Sequence, residues 1–382
     1  MPTITSIADL RALARKRVPR AIFDYCDRGS YDEVTLRRNR SDYEAIEIRQ
    51  RVAVDVSAQS LATTLVGQPA AMPLGIAPTG LAGLFYRDGE IEGARAAQAF
   101  GIPFCLSTVS ICSIEDVHGA VEKPFWFQLY LMRDRAFNEE LIARAKAAQC
   151  SALVLTLDLQ MQGVRRQDIK NGLSIPPRLT LRNALEIAAR PAWALGVLLG
   201  KRRTFGNLAG RMQGSGGLAT LSEWIGSQFD PTVSWKDVEW VRKQWPGKLV
   251  LKGILDPDDA RIASTTGADA IVVSNHGGRQ LDGAPSSIAS LPGVVEAVNG
   301  HCEVLLDGGV QCGQDLLKAL ALGARGCLMG KSFLYGLAAG GRAGVTTALD
   351  LISRELAVTL GLAGLSDVRQ VDRSILVGGG PR

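Results

Sequence analysis

Short apolar runs recur along the 382-residue chain, and each closes on polar or glycine positions. They are "MPLGIAPTG" (72–80), "PFCLSTVS" (103–110), "PFWFQLY" (124–130), "ALVLTLD" (152–158), "KLVLKG" (248–253), "AIVVSNHGG" (270–278), "EVLLDGG" (303–309) and "GCLMG" (326–330). Between them lie Ala- and Leu-rich segments at helical spacing, such as "GEIEGARAAQAF", "NEELIARAKAAQ" and "GQDLLKALALG". Uninterrupted apolar strands alternating with helices predict parallel strands covered on both faces. Eight such units predict an α/β chain folded as a (β/α)8 TIM barrel, with its chemistry at the C-terminal ends of the strands. A doubly wound sheet is the alternative, but it gives no reason for polar endings on all the runs.

One connection is out of scale. Between Asp158 and Lys248 lie about 90 residues, where a few are usual. The pattern is therefore read as one domain over 1–382 with an insertion at about 175–245. No apolar stretch reaches the roughly 18 residues that span a bilayer, and the N-terminus lacks the apolar block of a signal peptide. The seven cysteines are odd in number and lack zinc-like pairs, so they read as buried thiols in a reducing cytoplasm, with no metal. Net charge is +5 and the basic residues are scattered, which argues against nucleic acid as a partner. An anionic substrate, a phosphate cofactor or an acidic membrane surface each suits that charge.

Candidate chemistry collects at the strand ends. Of three histidines, His118 and His301 fall in helical and turn contexts that leave them solvated. His276 instead follows a strand, and Gly277 and Gly278 let the chain turn so that Arg279 returns to the same mouth. An imidazole beside a guanidinium suits a carboxylate substrate that has a neighbouring proton to remove. Asp158 ends the fourth run, where a carboxylate would hold the tautomer of His276. Arg165 offers a second guanidinium, and Tyr25 and Tyr130 are hydroxyl donors for a substrate oxygen. The turns "DGGVQCGQD" and "MGKSF" follow the seventh and eighth strands, the usual phosphate position in such barrels. Lys252 ends the fifth as a cation able to stabilise negative charge on a reduced cofactor ring.

The motifs "SNHGGRQLDG", "WFQLY", "RRQDIKNG", "LVLKGI", "DGGV" and "LMGKSFLYGL", in this order, resemble the FMN-dependent L-2-hydroxy-acid oxidising family over nearly the whole chain. The flavin L-lactate dehydrogenase branch is the most similar. The resemblance implies a flavoprotein that oxidises a small L-2-hydroxy acid to the 2-oxo acid, lactate to pyruvate first among them. A mandelate or broad-specificity enzyme is the runner-up, and a non-redox phosphate-binding barrel the reading from another class. Carried over, His276 is the base and Asp158 its support; Arg165, Arg279, Tyr25 and Tyr130 take the substrate. Thr79, Ser107, Gln128, Thr156 and Lys252 line the flavin, Asp307 holds the ribityl chain, and Gly308, Gly309, Gly330 and Lys331 lie toward the phosphate. Gln311 and Lys331 stand where many relatives have arginine, and Val109 where glycolate oxidases carry an aromatic residue.

The family further implies an electron acceptor (quinone, cytochrome or dioxygen) and a homo-oligomer, a tetramer. Within the insertion, "RPAWALGVLLGKRR" sets Trp193, Leu195, Val197, Leu198 and Leu199 between Arg190 and Lys201-Arg202-Arg203. That build predicts a peripheral anchor on the inner face of the cytoplasmic membrane.

Overall fold

The computed structural model describes residues 3–172, 180–198, 200–202, 204–208 and 226–379. Each apolar run contains a strand. β1 (Thr63–Leu65) and β2 (Gln68–Ala70) form an antiparallel hairpin ahead of them. The eight that follow are β3 (Leu74–Ile76), β4 (Cys105–Ser107), β5 (Trp126–Tyr130), β6 (Ala152–Thr156), β7 (Lys248–Ile254), β8 (Ala270–Val273), β9 (Glu303–Asp307) and β10 (Gly326–Met329). They pair in parallel in the order β3-β10-β9-β8-β7-β6-β5-β4. A parallel bridge from Ile76 to Phe104, with Ile76 N donating to Pro103 O at 2.9 Å, joins the two ends. The expected (β/α)8 barrel is what forms.

Burial follows strand alternation. Trp126, Val154, Val250, Val272, Leu305 and Leu328 fill the barrel interior, while Phe127, Leu153, Leu155, Leu249, Leu251 and Leu306 face the helices. The hairpin plugs the end opposite the site, with Leu65, Val66 and Ala70 joining the interior cluster. Its turn places Val66 and Gly67 at φ 50° and 77°. So short an element leaves too little alternation in the sequence to predict a hairpin there.

Helix Val34–Glu44 lies against the loops after β8 and β9, so close that neither Gly278 nor Gly309 tolerates a side chain. A Cβ on Gly278 would fall 2.7 Å from Leu36 Cα, and one on Gly309 2.0 Å from the Asn39 carbonyl oxygen. All seven cysteines are free thiols; Cys302 and Cys312 are only half-buried, contrary to the expectation of full burial. Among the described residues, no helix is long and apolar enough to cross a membrane.

The inserted segment includes helices Leu181–Ala188 and Pro191–Leu198. Trp193 and Val197, expected to face a membrane, turn toward the barrel: Trp193 Nε1 donates to Leu84 O at 2.7 Å, and Val197 is buried. Arg190 pairs with Glu186, and Arg202 with both Asp88 and Asp116. A buried apolar edge and arginines paired to acidic side chains follow from a segment packed on protein. Leu195 is exposed, together with Leu181 and Leu185 on the preceding helix. Leu199, Arg203 and the side chain of Leu198 lie outside the described residues.

Candidate active site

The chain leaves β8 through three consecutive left-handed residues, His276, Gly277 and Gly278, at φ 58°, 65° and 73°. A histidine there is unusual enough to need bracing. Asn275 Oδ1 accepts from Gly278 N at 3.1 Å, and Asn275 and Asn39 exchange two buried side-chain bonds of 2.8 and 2.9 Å. His276 N donates to Ser274 Oγ at 3.1 Å. The turn is thereby fixed, and the imidazole sits 2.9 Å from Asp158 through Nδ1. Asp158 in turn packs on Gly253, whose φ of 105° belongs to a bulge in β7; a Cβ there would lie 2.7 Å from the carboxyl carbon. Burial pushes the Asp158 carboxyl up, but the nearby His276, its hydrogen bond and Lys252 outweigh it, and the net direction is down. Asp158 therefore stays ionised, holds the proton on Nδ1, and leaves Nε2 as the basic nitrogen.

Two guanidiniums line the same cavity as this imidazole. Arg279 spends Nη1 on the carbonyls of Tyr25 and Arg28 and stacks over the Tyr25 ring at 4.7 Å, while its buried Nη2 has no hydrogen-bond partner. Arg165 reaches the Arg279 carbonyl at 3.5 Å. Burial, then the charge of Arg279, pulls Arg165 down to about 10. The carboxylate present, Asp168, is 3.9 Å from Arg279, and burial pushes it toward the neutral form despite both arginines. Two buried cations with so little compensation suit an incoming anion. Tyr130 is pushed upward by burial, so its phenol keeps its proton as a donor.

The cofactor side is built from strand ends. Lys252 Nζ is 2.8 Å from both Asp307 Oδ2 and Ser274 Oγ. Burial lowers its pKa, but Asp307 and Asp158 raise it further, so the ammonium persists. Ser107 Oγ donates to Gln128 Oε1 at 3.1 Å. Gln128 Nε2, Thr156 Oγ1 and Asp307 Oδ1 are buried with no partner, which suits a polar ring and chain laid across the mouth.

The two glycine turns are not equivalent. After β9, the amides of Gln311 and Cys312 are taken by Asp315, and that of Gly313 by Glu355. After β10, helix Lys331–Leu362 starts at Gly330 with no side-chain cap, leaving its first amides for an anion. Gly308 and Gly309, at φ 94° and 89°, bring bare backbone to the same cavity. Lys331 Nζ is turned to the carbonyls of Asp27 and Arg28 at 2.9 and 3.4 Å. Burial pulls it down to about 8. The chain thus offers the donors that an FMN phosphate and ring need.

One cavity gathers Tyr25, Thr79, Tyr130, Arg165, Lys252, His276, Arg279, Asp307, Gly308, Gly309, Gly330 and Lys331. Asp158, Ser107, Gln128 and Thr156 are not among its lining residues. Asp158 and Ser107 bond to groups nearer the mouth, whereas Thr156 and Gln128 Nε2 end unpartnered. Sequence reasoning missed Asp168, Arg40, Phe205 and Phe229 on the lining. Asp168 carried a signal, lying three residues after Arg165. Phe205 and Phe229 lie in the insertion, where no strand pattern gives direction.

The frame defines a class: barrel enzymes that hold an organic anion beside a phosphate-bearing cofactor. Residues 14–378 match the family model described as FMN-dependent dehydrogenase, and the chain belongs to that family, an FMN-dependent oxidoreductase. It is 48% identical over 374 residues to a Caulobacter protein named L-lactate dehydrogenase, covering 98% of each chain. An L-lactate dehydrogenase of Ectopseudomonas mendocina is 47% identical over 98% of this chain and 99% of its own length. Among solved structures, the monotopic membrane protein (S)-mandelate dehydrogenase superimposes with a TM-score of 0.93 at 35% identity, covering 98% of this chain and 100% of that one.

Proposed function

We propose that this enzyme oxidises L-lactate to pyruvate on FMN and passes the two electrons to a second acceptor. The observation that carries the reading is the Asp158-backed imidazole of His276 facing Arg165 and Arg279 in one cavity. Arg165 and Arg279 bind the substrate carboxylate, and Tyr25 and Tyr130 orient its oxygens. Turning the C2 alcohol into a ketone releases two electrons and two protons; His276 Nε2 takes up one of those protons, and the other would go with the electron pair to the bound flavin. The imidazolium so formed is stabilised by Asp158. FMN, when bound, supplies the electron sink. Thr79, Ser107, Gln128, Thr156 and Lys252 would hold its ring, Asp307 its ribityl chain, and Gly308, Gly309, Gly330 and Lys331 its phosphate end.

A second reading, oxidation of mandelate or a broader set of 2-hydroxy acids, is favoured by the fold's likeness to (S)-mandelate dehydrogenase and by the small Val109 on the cavity wall. For localisation we propose peripheral docking on the inner membrane face, with a quinone as acceptor. Exposed Leu181, Leu185 and Leu195 and the monotopic neighbour support it. A homotetramer completes the proposal, on resemblance to the family. The test is anaerobic flavin reduction by the holoenzyme with L-lactate, D-lactate and (S)-mandelate. Fast bleaching by L-lactate alone supports the first reading. Equal or faster bleaching by mandelate moves the assignment to the second, and bleaching by none overturns both.

A further inference from the structure

The apolar wall of the cavity is not built by the barrel alone. Leu81 and Leu84 come from the loop after β3 and Val109 from the loop after β4, but Phe205 belongs to the long insertion. Phe205 is 4% exposed and lines the same space. Residues 204–208 form a strap laid along the C-terminal end of β4, and the way they are fastened is specific. Gly206 N donates to Ser110 O at 3.1 Å, and a Cβ on Gly206 would fall 2.5 Å from Ser113 N. The next residue, Asn207, is buried and uses its whole amide. Oδ1 accepts from Ile114 N at 2.9 Å, and Nδ2 lies 3.3, 3.2 and 3.1 Å from Ser107 O, Thr108 O and Ser110 Oγ. Outside the strap, Arg144 Nη1 donates to Asn207 O at 3.0 Å.

Such fastening fixes Phe205 beside the loops that carry Leu81 and Val109. Val109 in turn sits where the substrate is handled: a Cβ on Gly80 would meet Val109 Cγ2 at 2.8 Å and the Tyr25 hydroxyl at 3.4 Å. With the carboxylate drawn to the arginines and the hydroxyl to His276, the C2 substituent is left the apolar side. We infer that the strap is the specificity element of this enzyme: Phe205 sets how large a C2 substituent enters, and Asn207 is the positioning residue that holds it. The inference rests on the 2-hydroxy-acid reading. A small valine on one wall is compensated by a ring that the insertion carries back to the barrel, which ties substrate choice to the insertion.

The test compares the holoenzyme with Phe205→Ala, Phe205→Leu and Asn207→Ala. Anaerobic flavin reduction is measured with L-lactate and with (S)-mandelate, and FMN content is checked in each. Phe205→Ala should raise the ratio of kcat/KM for mandelate over lactate about tenfold or more, the scale on which an apolar pocket senses lost fit. Most of the loss for lactate should appear in KM. Phe205→Leu should move the ratio the same way by less, and serves if the alanine variant does not fold. Asn207→Ala should follow Phe205→Ala, since an unpinned strap no longer holds the ring; a purely structural role would lower both substrates equally. A ratio within about threefold of wild type in the flavin-loaded Phe205 variants overturns the inference. Failure of the underlying reading looks different, because the wild type would then reduce its flavin with neither acid.

Discussion

Arg279 has one nitrogen tied to main-chain carbonyls and one buried with no hydrogen-bond partner, a geometry that waits for an acceptor. A lysine keeps the charge but loses the planar fork that grips a carboxylate at two points and the stacking on Tyr25. Arg279→Lys should lower kcat/KM for L-lactate by well over tenfold, that is, by more than about 1.4 kcal/mol of transition-state binding. A loss within threefold would remove Arg279 from the carboxylate site. Lys331 gives a prediction in pH. Burial holds its ammonium down at about 8, and a bound phosphate would raise it again. Below that pH the charge is already present. Above it, binding must take up a proton, so FMN affinity should fall with rising pH by up to tenfold per unit. Titration of the apoprotein with FMN between pH 7 and 9 checks this. Lys331→Arg should flatten the slope, and an equal slope in both proteins would contradict it. That His276 and Asp158 meet was legible because a polar residue ending an apolar run has few places to go, and that Arg279 shares a cavity with His276 because two glycines turn the chain back. Asn207 was not, since a buried polar residue in a loop is recognised only by the backbone groups around it.

Helix Val34–Glu44 shows what an element adds beyond its own pattern. It presses Leu36 against the turn of His276 and the Asn39 backbone against Gly309, so one helix registers the loop after β8 against the loop after β9. Its sequence, "VTLRRNRSDYE", reads as a solvated helix, and nothing in it announces that task. The eight barrel strands were legible because continuous apolar runs leave little choice; the hairpin of β1 and β2 was not, having three residues a side. The insertion divides in the same way. Its basic and apolar composition suggested an anchor, yet Trp193, Val197 and Arg202 face the protein. An excision would damage the fold, so the anchor is better tested on the exposed side chains. Changing Leu181, Leu185 and Leu195 to serine together should abolish sedimentation with anionic vesicles while leaving flavin reduction by L-lactate intact. Vesicle binding that survives all three changes would place any docking surface elsewhere.

At the scale of the whole molecule, the barrel brings to one mouth residues as far apart in sequence as Tyr25 and Lys331. The proposed base, carboxylate grip and cofactor cradle come from different strands and loops, each held by its own neighbours. That separation predicts that the His276 imidazole can be removed without unseating the cofactor, because His276 bonds to Asp158 and Ser274 rather than to the glycine turns proposed for the phosphate. The most direct measurement is single-turnover, anaerobic reduction of the bound flavin by L-lactate in wild type and His276→Asn. The variant should purify with FMN and bleach at least about 100-fold more slowly, the lower range of general-base catalysis. Bleaching at a near-normal rate in the FMN-loaded variant would contradict the assignment of His276 as the base.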